Sequence, residues 1–206
     1  PAKAAFPSSF SYGNDAVETV SYDPDGAKKL LEESGWTDTD GDGYVDKDGE
    51  KLSINWLTYP TRLEQPKLAE YAQSTLKDIG IDVQVNNTSD HMTIAKSGDF
   101  DVYVSSTTTA PTGDPEYFFT STVTGAKNYG NYQNEEVTKL TDQLHQTFDK
   151  DERAKLAVEL QQDILDDDAF FFVSHLNMGI VTKSNVTGMA AHPCDYYEIT
   201  ADLDVE

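Results

Sequence analysis

The sequence predicts an α/β protein: a mixed sheet flanked by helices, with an acidic β-hairpin inserted beside it. Three observations carry this. Residues 52–104 switch between period-2 and helical apolar patterns in the order strand, helix, strand, helix, strand, the rhythm of a sheet with crossover connections. Residues 135–165 hold two amphipathic helical patterns in succession. Between them and the first helix, Asp38, Asp40, Asp42, Asp46, Asp48 and Glu50 crowd into "GWTDTDGDGYVDKDGEKL", a stretch of turn-forming Asp and Gly.

Taken in order, "DPDGAKKLLEESGW" predicts a helix with Asp23 as N-cap and Pro24 in the first position. Ala27, Leu30 and Leu31 form its apolar stripe, and Gly35 stops it. In "LSINWLTYP", Leu52, Ile54 and Trp56 alternate with Ser53 and Asn55, as in a strand. Leu68, Ala72, Leu76 and Ile79 then recur at helical spacing up to Gly80. "IDVQVNN" reads as a second strand, "DHMTIAKSG" as a short helix and "DFDVYVSSTT" as a third strand. After a long loop, "DPEYFFTST" predicts a short helix. The next helix places Val137, Leu140, Leu144 and Phe148 on one face. Its successor opens on a capping-box pattern, Asp149 to Glu152, and buries Leu156, Leu160, Ile164 and Leu165. "AFFFVSHLNMGIVTKS" reads as a returning strand pair, while the tail "HPCDYYEITADLDVE" matches no single pattern.

With 206 residues the chain suits one large domain or two small ones. Fifteen Lys and Arg stand against 37 Asp and Glu, a net charge of −22. That excludes general affinity for nucleic acid and opposes binding to an anionic membrane surface. No apolar run reaches membrane-spanning length. Cys194 is the single cysteine, so no disulfide forms within the chain. "PAKAAFPSSF" reads as a linker, and the chain is expected to be a fragment of a longer protein.

The four histidines, His91, His145, His175 and His192, show no metal-binding pair spacing. His145 reads as surface and His91 as a solvated polar residue. His175 ends an apolar strand pattern, and is either a structural histidine or a ligand contact. No nucleophile elbow, phosphate-binding loop or dinucleotide fingerprint is present. Cys194 lies beside Asp195, which disfavours a thiolate. Nothing in these patterns argues for an enzyme. The acidic loop follows the calcium-binding EF-hand only in its first half. Asp38, Asp40 and Asp42 occupy positions 1, 3 and 5, Tyr44 would offer its carbonyl and Asp46 its carboxylate, but Gly49 stands where the bidentate Glu belongs. Calcium or a plain hairpin tip both fit.

Several segments together resemble one family. "YDPDGAKKLLEESGWTDTDGDGYVDKDGEKLSINWLTYP", "LAEYAQSTLKDIGIDVQV", "KSGDFDVYV", "GDPEYFFTS", "NYGNYQNEEV" and "RAKLAVELQQDIL" with "DAFFFVSHLN" are similar, in order and spacing, to extracytoplasmic solute-binding proteins of the peptide/nickel class of ABC transporters, family 5. The resemblance runs from about residue 20 to residue 188. It implies a periplasmic-binding-protein-like lobe of type II, peptide-binding class, corresponding to the C-terminal lobe. Residues 1–20 would be a linker or hinge from the first lobe, 21–168 the second ligand-binding lobe, and 169–206 return strands and a tail packing toward the hinge. The acidic hairpin would lie far from the cleft.

The resemblance further implies a receptor outside the cytoplasm, in a periplasm or held as a surface lipoprotein, that hands an oligopeptide or a chelated metal such as nickel to an ABC permease. It implies a monomer that needs no cofactor, with structural calcium as the candidate ion. The loop "SSTTTAPTGDPEYF" would face the cleft. Many peptide binders carry an Asp a few residues before the Asp-Pro pair, where this chain has Pro111. Nickel binders show a "GAPYDP"-like phrase, echoed here by Ala110-Pro111 and Asp114-Pro115, with Thr108 where a Trp stands. The ligand contacts so implied are Thr107, Thr108, Thr109, Pro111, Asn131, Tyr132 and His175. The rival class is a calcium-dependent extracellular interaction module centred on the acidic loop.

Overall fold

The computed structural model describes residues 2–177, 179–190 and 199–205. His192 and Cys194 lie outside them. The chain divides into two compact units. A sheet unit comprises Val20–Thr107 with Tyr129–Asn131, and a helical unit comprises Pro1–Thr19, Thr108–Asn128 and Tyr132–Glu206. Along the chain a boundary between them falls after Thr107.

The sheet unit begins with α1 (Pro24–Glu33), capped by Asp23, whose carboxylate accepts from Gly26 N at 2.9 Å. Leu31 packs against the core, but Leu30 is 65% exposed: among the described residues nothing covers that side of the stripe. The acidic hairpin follows, with β1 (Asp46–Lys47) antiparallel to β2 (Glu50–Lys51). Then come β3 (Ser53–Thr58), α2 (Glu64–Lys77), β4 (Asp82–Asn87), α3 (His91–Ser97) and β5 (Val102–Tyr103). Pro66 sits in the first turn of α2, where a missing N–H breaks no helical bond. The strands are parallel in the order β4-β3-β5, with Ser53 opposite Asp82 and Leu57 opposite Tyr103. A central parallel strand is covered on both faces, and Trp56, Leu57 and Thr58 are all buried. Trp56, Ala69, Ile81, Val83 and Val104 form the core, flanked by the expected Leu52, Ile54, Leu68, Ala72, Leu76 and Ile79. Gly80 turns α2 into β4 at φ +82°, and an added Cβ would lie 2.8 Å from Val45 Cγ1. Gly80 O also accepts from Val45 N at 2.8 Å, which locks the hairpin onto that turn.

The helical unit is built on α4 (Glu116–Phe118), a π-helical turn (Phe119–Val123), α5 (Glu135–Gln146) and α6 (Lys150–Asp166). β6 (Val186–Thr187) pairs antiparallel with β7 (Asp204–Val205). Its core joins Phe118, Phe119, Val123, Val137, Leu140, Leu144, Leu156, Leu160 and Ile164 to Phe6 and Tyr12. The segment read as a linker is therefore part of a core: Ala4 and Phe6 are fully buried, and Phe6 meets Tyr12 edge-to-face at 4.9 Å. Asn14 Oδ1 accepts from Lys3 N and Ala4 N, and Gln161 Nε2 donates to Tyr12 O at 2.7 Å. Pro and Ser suggested a linker, but the apolar side chains between them decide the placement.

Phe148 was expected on the buried face and is 92% exposed. The helix ends at Gln146 and Thr147 is extended (φ −93°, ψ 127°), so the helical spacing stops applying before Phe148. Residues 169–177 keep the period-2 alternation, with Phe170 and Phe172 against the core and Phe171 61% exposed. They form no strand ladder among the described residues; Val173 O accepts from Ala2 N at 3.2 Å. No described helix is long and apolar enough to cross a membrane.

Leu160→Ala should cost about 3 kcal/mol of stability, because Leu160 is fully buried and the cavity is walled by helices. Phe148→Ala should change stability by no more than about 0.5 kcal/mol. Urea midpoints of the two variants check the contrast.

Candidate functional site

The expected ligand loop spans the division between units. Thr107 closes the sheet-unit segment, and Thr108, Thr109 and Pro111 belong to the helical unit. Thr107 and Thr108 are exposed, whereas Thr109 and Pro111 are half-buried. A tight turn follows, with Gly113 N donating to Ala110 O at 3.0 Å and Gly113 at φ +77°. The Tyr12 hydroxyl donates to Gly113 O at 2.7 Å. Burial, then the nearby Asp114 charge, pushes the Tyr12 phenol up to about 12, so it stays a donor at neutral pH.

The Asp-Pro pair then anchors the loop. Asp114 Oδ1 accepts from Glu116 N at 2.9 Å at the start of α4. Both its oxygens face Arg153, with Nε donating to Oδ2 at 2.9 Å and Nη2 to Oδ1 at 2.6 Å. Nη2 also reaches Glu116 Oε2 at 2.8 Å, while Nη1 donates to the Leu144 and Thr147 carbonyls, each at 2.6 Å. His145 Nδ1 lies 2.6 Å from Glu116 Oε1. Burial raises the Asp114 and Glu116 carboxyls, but the Arg153 hydrogen bonds and charge outweigh it and hold both below the usual range. The landmark that resembled a ligand motif is thus held by an ion pair inside its own unit. Arg153 carried no sequence signal beyond its place in the first turn of an amphipathic helix.

Asn131 belongs to the sheet unit and adopts φ +52°. Tyr132 belongs to the helical unit, where its backbone is clasped by Asn128: Asn128 Nδ2 donates to Tyr132 O at 2.8 Å and Tyr132 N to Asn128 Oδ1 at 3.0 Å. The Tyr132 hydroxyl donates to Asp167 Oδ2 at 2.5 Å, and Asn134 Nδ2 donates to the same oxygen at 2.7 Å. Burial, then the Asp167 hydrogen bond, raises the Tyr132 phenol, while the hydrogen bonds from Tyr132 and Asn134 lower the Asp167 carboxyl. His175 is half-buried and donates from Nε2 to Ala4 O at 3.0 Å, fixing its proton on that nitrogen and pinning the N-terminal segment. His91, expected to be solvated, is half-buried against Tyr59 and Tyr103.

In the hairpin, Asp38, Asp40 and Asp42 each place a carboxylate oxygen within 4.8 Å of the other two. Asp38 accepts from Gly41 N at 2.7 Å and Gly43 N at 3.0 Å. Asp42 accepts from Tyr44 N at 2.9 Å and pairs with Lys51 Nζ at 2.6 Å, and that hydrogen bond depresses its carboxyl. Lys51 Nζ also lies 4.4 Å from the Tyr44 ring centre. Asp46 is turned to Thr39, accepting from its N and its hydroxyl. Three carboxylates therefore suit a hard cation, but Asp46 is committed elsewhere and a lysine already compensates Asp42.

A parallel sheet with helices in its crossovers makes the sheet unit an α/β structure. The family model "Bacterial extracellular solute-binding proteins, family 5 Middle" matches residues 1–130, and the chain belongs to that family. It is 30% identical over 200 residues to the oligopeptide-binding protein AppA of Bacillus subtilis, covering 94% of this chain and 37% of that protein. The solved structure of AppA in complex with a nonapeptide aligns with TM-score 0.67 and 27% identity, covering 80% of this chain and 34% of that one. NikA from Staphylococcus aureus in complex with Ni(L-His)2 aligns with TM-score 0.68 and 28% identity, covering 81% and 34%. The chain thus spans about a third of the length of these relatives.

Arg153→Met should remove about 2–4 kcal/mol at about pH 7, since it leaves two partly buried carboxylates and two carbonyls without their donor. Both carboxyls titrate lower in the folded protein than their ordinary 3.8 and 4.5. Their stabilisation is complete above those ordinary values and disappears as pH falls through the depressed ones. The gap between wild type and variant should therefore be full at neutral pH and shrink as the pH falls below those ordinary values, read by urea unfolding. A gap that does not change with pH would count against the ion pair.

Proposed function

We propose that this chain forms part of the receptor of an ABC importer, working outside the cytoplasm as a surface lipoprotein or in a periplasm. It captures an oligopeptide, or a chelated metal such as nickel, and delivers it to the permease without chemistry of its own. The observation that carries this is the family match over residues 1–130. Both solutes stay within the proposal, because a peptide-binding and a nickel-binding relative match similar shares of the chain, 94% and 93%. Nickel would arrive as a chelate, since among the described residues the one group of three metal-ligating side chains is all carboxylate, a poor set for that ion. Binding works by closure of two lobes on the solute. Thr107, Thr108, Thr109, Pro111 and Asn131 are proposed as direct contacts. Tyr132 and His175 are proposed to act beside them, by holding their neighbouring segments.

A second reading has one observation in its favour. The Asp38, Asp40 and Asp42 carboxylates converge in a way that suits calcium, which would tighten the hairpin and make it a calcium-dependent interaction element.

Native mass spectrometry of the protein purified from its own host tests both. Co-purifying masses that form a ladder of short peptides are the expected result. A single discrete mass with a nickel isotope pattern would select the chelate branch. No bound solute, together with a calcium adduct abolished by Asp40→Ala, would favour the interaction element instead.

A further inference from the structure

We infer that the carboxyl edge of the sheet unit, between β3 and β5, is a contact surface for a flat, π-faced side chain of the solute, either an aromatic ring or a guanidinium. This rests on the peptide reading above and narrows it.

Topology is the first argument. The strand order is β4-β3-β5. The chain leaves β3 for one neighbour through α2, then crosses back through α3 to the other side. The strand order thus changes direction between β3 and β5, and in open α/β sheets ligands bind outside the carboxyl ends of the strands at such a switch point. Each element delivers one ring there. Tyr59 follows the last residue of β3, Tyr103 is the last residue of β5, and His91 is the first of α3.

The rings are assembled as a shelf. His91 stacks on Tyr59, with centroids 4.1 Å apart and planes 19° from parallel. His91 Nδ1 lies 2.8 Å from the Tyr103 hydroxyl. Tyr129 meets Tyr103 edge-on at 6.0 Å, and Phe100 lies 5.7 Å away on another side. The Tyr59 hydroxyl accepts from Ser106 N at 3.2 Å, which fixes that ring. Burial, then the neighbouring Tyr59 and Tyr129, pushes the Tyr103 phenol up to about 12. The same hydroxyl lies 3.9 Å from Met92 Sδ. Among the described residues the other ring nitrogen of His91, Nε2, has no hydrogen-bond partner and is open to a polar group of the solute.

These rings are not the apolar core of the unit, which gathers around Trp56, Ala69, Ile81, Val83 and Val104. Only Tyr59 is buried; His91, Tyr103 and Tyr129 are half-buried, and Met92 is 39% exposed beside them. Rings with apolar faces and polar tips, left half open, are what a ligand surface needs. The negative ring faces and the net charge of −22 favour a cationic or neutral flat group over an anionic one.

Nuclear magnetic resonance titration of the 206-residue chain, which reads weak binding, tests this with Gly-Gly-Gly, Gly-Tyr-Gly and Gly-Arg-Gly as probes. The Tyr- or Arg-bearing peptide should bind about fivefold more tightly than triglycine and shift the His91 and Tyr103 signals. His91→Ala should collapse that preference to within about twofold. Tyr129→Ala should reduce it as well, while His91→Phe, which keeps the stack, should retain it. Dispersed spectra establish that each variant is folded. Triglycine binding with no preference for either side chain, or a preference that survives both alanine variants, would overturn the inference and leave the peptide reading standing. No shift with any peptide would overturn the inference as well.

Discussion

Arg153 is the constraint on which the helical unit depends. A guanidinium has five N–H donors in a fixed plane, and here five hydrogen bonds leave it: three to the Asp114 and Glu116 carboxylates and two to the Leu144 and Thr147 carbonyls. The last carbonyls of a helix need partners from outside it, and Arg153 supplies one at the end of α5. It stands in the first turn of α6, so the connection between the two helices is tied at both ends. The same side chain fixes the start of α4 through Asp114. A lysine would carry the charge without the fork and could not hold four groups in one plane. The side chain is 14% exposed, so water competes little with these bonds.

That anchoring bears on the Thr-rich loop. Residues 108–114 enter α4 through Asp114, and the Tyr12 hydroxyl holds the turn at Gly113. The loop's ends are therefore set by buried donors while Thr108 stays exposed. Exposed polar groups on a rigid base suit a surface that recognises a solute, because little order has to be created on binding. The net charge of −22 acts at longer range, by attracting cations.

The elements legible in the sequence were those governed by local rules. The Asp23 and Asp149 caps appear as short side-chain to backbone bonds, and the alternation in 52–58 and 82–87 became the paired strands β3 and β4. Local rules failed where long-range contacts decide. Residues 1–10 looked like a linker, because nothing nearby in sequence shows that Phe6 meets Phe118 and Phe119. Phe148 continued a helical spacing that the extended Thr147 ends one residue earlier. His91 gave no hint of its role, since Tyr59 and Tyr103 lie 32 and 12 residues away and meet it only through the sheet order. Asp114 and Arg153, 39 residues apart, had no pattern to connect them.

Amide hydrogen exchange of wild type against Arg153→Met is the most direct measurement of the Arg153 account. If Arg153 holds these segments, exchange is faster in the variant, concentrated in residues 113–118 and at the C-terminal turn of α5, with the β3 amides of the sheet unit unaffected. Unchanged protection in 113–118 would contradict it, and would mean that the loop is held by apolar packing around Phe118 alone.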